Sequence, residues 1–269
     1  MLIGAIALSL LFVLGCSPRP LFWNTLYKGD HEDYYSSRFL VAAADGDLDY
    51  IRKHLREHPN PDDDRGDWGS TALALASSRS HHSIIEILLE HGANPDEAVP
   101  HGTPVSISIF SGDKIAFDLL LKHSKPNYQR SDGLSYLHMA CSYLNPKDDA
   151  VNHFVSALLR TGLDPNHPYP DGNLPLIHLI GNQRELAIIT VLQHRADPNR
   201  SNAKGISPKS EASRMVEVAE KTLARSEQRL REFDSGEKSI WSRADLVNYI
   251  SWDQEKLARS KRILALVCQ

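Results

Sequence analysis

The chain has 269 residues, 41% of them apolar and 24% charged, with 30 basic against 34 acidic side chains and a net charge of −4. That is material for one large domain or two small ones with a real core. It excludes the concentrated basic face that a nucleic-acid binder needs. The longest like-charge run, Asp62-Asp63-Asp64, ends at Arg65 and reads as a solvated loop.

Met1 to Gly15, MLIGAIALSLLFVLG, is apolar and uncharged. A membrane-spanning helix takes about 20 apolar residues. This run is shorter and stops at Ser17-Pro18-Arg19-Pro20, so it has the length of the apolar region of a secretory signal peptide. It ends in Val13-Leu14-Gly15-Cys16, which resembles the lipobox of bacterial lipoproteins, although the leader has no Lys or Arg and Leu14 is large for its place. The resemblance implies cleavage before Cys16 and a diacylglyceryl group on its thiol. Each buried acyl CH₂ contributes about 0.8 kcal/mol, so two or three chains would hold the protein on a bilayer. Ser17, where an Asp would retain an enterobacterial lipoprotein at the inner membrane, implies the outer membrane with the domain facing the periplasm. Residues 16–36 are then a lipidated tether and N-terminal arm, with Trp23, Tyr27, Tyr34 and Tyr35 placed to cover the first unit.

Downstream the chain repeats itself. Ser37-Arg38-Phe39-Leu40-Val41-Ala42 opens a unit that runs through Asp45-Gly46-Asp47-Leu48 to Ile51 and Leu55 and turns at Pro59-Asn60-Pro61-Asp62. Thr71-Ala72-Leu73-Ala74-Leu75-Ala76 opens the next, and Thr103-Pro104-Val105-Ser106-Ile107-Ser108 follows 32 residues later. Ser135-Tyr136-Leu137-His138-Met139-Ala140 comes after another 32, Leu174-Pro175-Leu176 after 39 and Ser207-Pro208 after 33. In phase with these openings lie the apolar pairs Leu88-Leu89, Leu120-Leu121, Leu158-Leu159 and Val191-Leu192. Turns follow at Gly92-Ala93-Asn94-Pro95, Lys125-Pro126-Asn127, Gly162 to Asn166 and Arg195 to Asn199.

The openings resemble the T-P-L-H-x-A motif of ankyrin repeats and the turns resemble their G-A-D-P-N closure, at the ankyrin period of about 33 residues. The physics suits that family. Thr or Ser caps a helix and Pro fits its first turn. A small residue at Ala76, Ser108 or Ala140 lets two helices approach, and one helix pair must stack on another to cover its apolar face. The predicted fold is all-α: an ankyrin-repeat solenoid over 37–208, of five full or partial units and the start of a sixth. A C-terminal helical cap over 209–269 follows. In that cap a helix from Ala212 to Phe233 carries Val216, Ala219, Leu223 and Leu230 on one face, and Ser235-Gly236 ends it. A second, from Trp241 to Val267, carries Leu246, Tyr249, Ile250, Leu257, Ile263 and Leu266. The pair reads either as a cap or as a partner-binding hairpin.

Motifs that carry chemistry are missing from the sequence. There is no G-x-S-x-G, no G-x-x-x-x-G-K-[ST], no H-E-x-x-H and no C-x-x-C, so no catalytic residue, metal ligand or cofactor is expected. His81 and His82 are adjacent and do not share a helix face. His138 stands at the motif's own His and is expected to bond backbone between repeats. Cys141 and Cys268 lie far apart in sequence and are expected as two buried thiols rather than a bridge.

The ankyrin resemblance implies a protein-binding surface of turn tips and first-helix faces. The tips fall at Gly66 to Gly69, Val99 to Gly102, Arg130 to Gly133, Pro168 to Asn173 and Asn202 to Gly205. The expected contact residues are Trp68, Arg79, His101, Phe110, Arg130, Asp132, Tyr143, Tyr169 and Asp171, with Trp68 and Tyr169 as aromatic anchors. Trp68 could equally fold back on its own hairpin. The fourth unit is longer near Tyr143 to Asp149, an insertion readable as drift or as a partner-specific finger. A lipid-anchored binding array looks like the periplasmic immunity proteins of type VI lipase toxin systems, with a secreted phospholipase as partner and no nucleic acid. An envelope scaffold or stress-protection protein is the alternative.

Overall fold

The computed structural model describes residues 37–66, 69–100, 102–142, 148–236 and 240–269. The leader, the tether and Cys16 lie outside these residues, as do Trp68, His101 and Tyr143. Among the described residues there are twelve helices and no strand; two isolated bridges, Val99 with Gly102 and Gln129 with Ser135, are the sole extended pairings. No helix there is long and apolar enough to cross a membrane.

The chain divides into two compact units, one ending at Tyr128 and one beginning at Gln129. The first holds α1 (Arg38–Asp45), α2 (Leu48–Glu57), α3 (Ala72–Ser78), α4 (His82–Glu90), α5 (Pro104–Ser111) and α6 (Lys114–Leu121). These are three helix pairs. The first helices α1, α3 and α5 pack in a row, and the second helices α2, α4 and α6 form a parallel row. The openings become caps as their chemistry requires. The hydroxyls of Ser37, Thr71 and Thr103 accept from the N–H groups of Leu40, Ala74 and Ser106. Ala76 and Ser108 are fully buried where first helices meet, and Leu88 and Leu120 fill the layer beneath them. Each such leucine contributes roughly 1.5–3 kcal/mol by leaving water.

The second unit holds α7 (Tyr136–Ser142), α8 (Asp148–Arg160), α9 (Pro175–Gly181), α10 (Glu185–Gln193), α11 (Pro208–Asp234) and α12 (Arg243–Val267). Ser135 and Ser207 cap α7 and α11, whereas Leu174 has no capping side chain and α9 starts on Pro175 alone. The longer fourth repeat extends its second helix: α8 has 13 residues where α4 and α10 have 9.

Past Ser207 the pattern is stretched rather than lost. α11 packs on α9 as a first helix would, and α12 packs on α10 as a second helix would. The two form a long hairpin with a seven-residue seam. Ala212, Ala219 and Ser226 on α11 face a partner helix whose seam is Leu246, Asp253, Ser260 and Val267. The polar seam position Asp253 is 4% exposed and accepts a 2.6 Å hydrogen bond from the Ser226 hydroxyl. Tyr249, expected on this apolar face, is 45% exposed, because the seam passes through Leu246 and Asp253 instead. The thiols are both free. Cys141 is buried, but Cys268 is exposed, being the C-cap residue of the last helix.

Candidate interaction surface

The tips are built from main chain. In four of the five, the N–H of the first residue donates to the carbonyl four places on, and the N–H of the fourth donates back to the first. In the second unit the pairs are Arg130 to Leu134 at 2.9 Å, Tyr169 to Asn173 at 2.9 Å and Asn202 to Ile206 at 2.9 Å. The fourth residue is a glycine in each, and Gly172 shows why: its φ of +77° is left-handed, and the tip of the following repeat presses on it. A Cβ at Gly172 would lie 2.4 Å from the Ala203 Cβ, and the Ala203 N–H donates to the Gly172 carbonyl at 3.1 Å. Tips 169–172 and 202–205 therefore stand side by side.

The register sorts the expected contact residues. The third place of a tip points outward: Asp132, Asp171 and Lys204 are exposed there. Trp68 and His101 hold that same place in the sequence of their tips but lie outside the described residues. Asp132 forms a forked pair with Arg130 in its own tip, the Nε contact being 2.9 Å, and this guanidinium holds its carboxyl below the usual value. Asp171 turns one oxygen to the Asn173 N–H at 3.0 Å. In the first unit Phe110 is 40% exposed at the end of α5, and Arg79 is half-buried at the C-cap of α3, beside Asp45 and His81.

Tyr169 corrects the expectation. It is 7% exposed and is not an anchor, because its ring turns inward, unlike Arg130 at the same place of the preceding tip. Its ring lies between the imidazoles of His138 and His178, with centroids at 4.2 and 4.1 Å. Its hydroxyl donates to the His138 carbonyl at 2.8 Å and lies 2.8 Å from the Ser142 hydroxyl. His138 bonds backbone between repeats as expected. Its Nδ1 accepts from the Ser135 N–H, which leaves Nε2–H to donate to the His167 carbonyl at 3.0 Å. Burial lowers the pKa of His138 against the opposing pull of that carbonyl, and burial lowers that of His178 against the pull of Asp171.

Sequence reasoning missed a second set of contacts. At three of the turns the residue after the proline reaches the neighbouring repeat. Asp62 accepts from the Asn94 N–H at 3.0 Å, and Asp96 accepts from the Ser124 hydroxyl and the Lys125 N–H, both at 2.7 Å. Asn166 accepts from the Asp197 N–H and donates to the Arg195 carbonyl. The acidic run is thus partly a joint, with Asp64 accepting from Ser37. The two adjacent histidines reach opposite ways: His81 Nε2 donates to the Ala44 carbonyl at 2.9 Å, and His82 Nε2 meets the Asp113 carboxylate at 2.7 Å. The periodic Asp or Asn after proline was the signal that could have shown these joints.

Among the described residues no three His, Cys, Asp or Glu side chains gather as metal ligands would. Residues 39–125 match the sequence profile of ankyrin repeats, in three copies. The solved ankyrin repeat domain of Bcl-3, described as a unique member of the IkappaB protein family, is 21% identical. It superposes at a TM-score of 0.56 over 87% of this chain and 99% of that one. This chain folds as an ankyrin-repeat array. Two human ankyrin proteins resemble it in sequence. "Ankyrin repeat and MYND domain-containing protein 1" is 33% identical over 36% of this chain, and Rabankyrin-5 is 25% identical over 71%. The chain spans 11% and 18% of their lengths. Such an array is a scaffold for binding other proteins, and its tips and first helices are where this one presents side chains.

Proposed function

We propose that this chain is a non-enzymatic, protein-binding ankyrin lipoprotein of a bacterial envelope. In this reading acylated Cys16 holds it at the outer membrane, facing the periplasm. There it acts as an immunity protein that binds and neutralises a phospholipase or similar toxin delivered by a neighbour's type VI secretion. The observation that carries the binding reading is that the tips 130–133, 169–172 and 202–205 are built by main-chain hydrogen bonds, which fix the backbone bearing Asp132, Asp171 and Lys204 before any partner arrives. A preorganised backbone loses little entropy on binding. The lipobox-like Val13 to Cys16 supports the location, since an anchored array would meet a membrane-attacking toxin beside its substrate.

The test begins with in-cell crosslinking and purification of the lipidated protein from its own envelope. A one-to-one partner of lipase or other toxin fold supports the reading. The same partner should lose binding when the exposed pair is removed in Arg130→Ala/Asp132→Ala. A strain lacking the gene should be killed by sibling cells that deliver the toxin, and unchanged survival would overturn the immunity role in favour of an envelope scaffold. Labelled palmitate should enter the wild-type protein and be absent from Cys16→Ser; label retained by that variant removes the proposed anchor.

A further inference from the structure

The C-terminal hairpin exposes large apolar side chains that its seam does not use. Nine large apolar side chains are exposed among the described residues, and six of them belong to this hairpin: Val218, Ile240, Trp241, Val247, Tyr249 and Trp252. Trp252 is 59% exposed. Its neighbour Asp253 faces the seam, and at about 100° per helical residue the indole lies beside the seam and not in it. It borders an open groove of about 590 Å³ between the α9–α10 turn at Gly181 to Gln183 and the two long helices.

The groove combines two chemistries. Its apolar side chains are Met215, Val218 and Trp252. Its charged ones are Arg214, Lys256 and Arg259 against Glu255 alone, a basic excess in a chain whose net charge is −4. Arg214 is committed to Glu211 at 2.6 Å. Arg259 reaches Glu255 only at 4.0 Å. Lys256 makes no ion pair among the described residues; its ammonium stands 5.3 Å from the Trp252 ring centroid. Trp252, Lys256 and Arg259 follow each other at spacings of four and three, so they share one helix face. An indole with two weakly engaged cations beside it, over an open groove that mixes Met215 and Val218 with Asn182 and Gln183, matches an acidic amphipathic peptide in shape and in charge. A flat bilayer would meet the cations and leave the concavity empty.

We infer that this groove docks an acidic amphipathic segment of a partner protein, which lays an apolar side chain over Trp252 and Val218 and sets its carboxylates against Lys256 and Arg259. This is a second surface, separate from the tips, and it stands whether or not the partner at the tips is a toxin.

The test selects peptides from a random 12-residue phage-displayed library on the full chain in detergent. Enriched sequences are synthesised and titrated by fluorescence anisotropy. They should carry Asp or Glu around one Leu or Phe. Their Kd should rise at least tenfold against Trp252→Ala and against Lys256→Glu/Arg259→Glu, and it should be unchanged against Arg130→Ala/Asp132→Ala. The groove substitutions change exposed side chains, and an unaltered thermal midpoint shows that each variant folds. The proposal is overturned if no acidic peptide enriches, or if enriched peptides bind the groove variants as they bind the wild type. It is also overturned if vesicles of phosphatidylglycerol and phosphatidylcholine bind through Lys256 and Arg259 while peptides do not. A failure here leaves the tip-variant result untouched, so the two surfaces are judged separately.

Discussion

The Tyr169 hydroxyl serves the His138 carbonyl and the Ser142 hydroxyl at once, inside a stack of two imidazoles. Tyr169→Phe keeps the ring and loses both bonds, so it should lower stability by about 1–2 kcal/mol in urea unfolding. The imidazoles make the same region acid-sensitive. Burial lowers the pKa of both His138 and His178 from the ordinary 6.5. The unfolded chain therefore binds more protons than the folded one below that value. Their contribution is complete above pH 6.5 and is lost as pH falls through the lowered folded values. Hydrogen exchange of the α7 and α9 amides should quicken relative to α3 and α5 as pH drops from 7 to 5, and His178→Asn should reduce that response. Equal acceleration in both units would count against it. Sequence reading placed His138 from its motif but took Tyr169 for an exposed anchor. Its inward turn is set by the two imidazoles and the His138 carbonyl that receive it, partners that lie on helices outside the tip and that the tip sequence does not display.

At the scale of elements, tips and caps carry separable energies. Gly172 and Gly205 share a left-handed φ, at +77° and +76°, but only Gly172 has a neighbour against it. Gly205→Ala should therefore cost the backbone strain alone, about 1–2 kcal/mol. Gly172→Ala must add displacement of Ala203, so its thermal midpoint should fall further, and equal midpoints would refute the packed-tip account. Asp113 is a cap of another kind: it accepts from the Ile115 and Ala116 N–H groups and meets His82. Burial raises its pKa, yet hydrogen bonds from Ser80, Ala116 and His82 outweigh burial and bring it below 3.8. Its contribution is thus present above pH 3.8 and lost as pH falls through the lower folded value. Asp113→Ala should cost about 1–2 kcal/mol at neutral pH, a loss of cap that differential scanning calorimetry would read. The helix pairs were legible because Thr71, Thr103, Ser135 and Ser207 announce their starts. The hairpin seam was less so, because Asp253 and Ser260 occupy apolar places and pass for surface residues.

At the scale of the molecule, α11 and α12 continue the two helix rows of the second unit and cover α9 and α10. Removing residues 209–269 should expose the apolar face of that last short repeat. Loss of protection in α9 and α10, with oligomers by light scattering, is the expected outcome; an unchanged monomer would show that the hairpin is an appendage rather than a cap. The repeat architecture was readable from two phased motifs, whereas the groove beside Trp252 was not, since it forms between elements far apart in the chain.

The tip packing also bears on how such a chain can change over generations. Recombination between similar segments adds or removes whole periods, and the new junction always seats one tip against another. Where that seat is Gly172 against Ala203, a newcomer with a side chain at the glycine place would not fit, while the outward place held by Asp171 and Lys204 meets no such restriction. Lineages can thus gain, lose or reshuffle repeats and vary the letter that faces a partner, while the glycine beside it is kept.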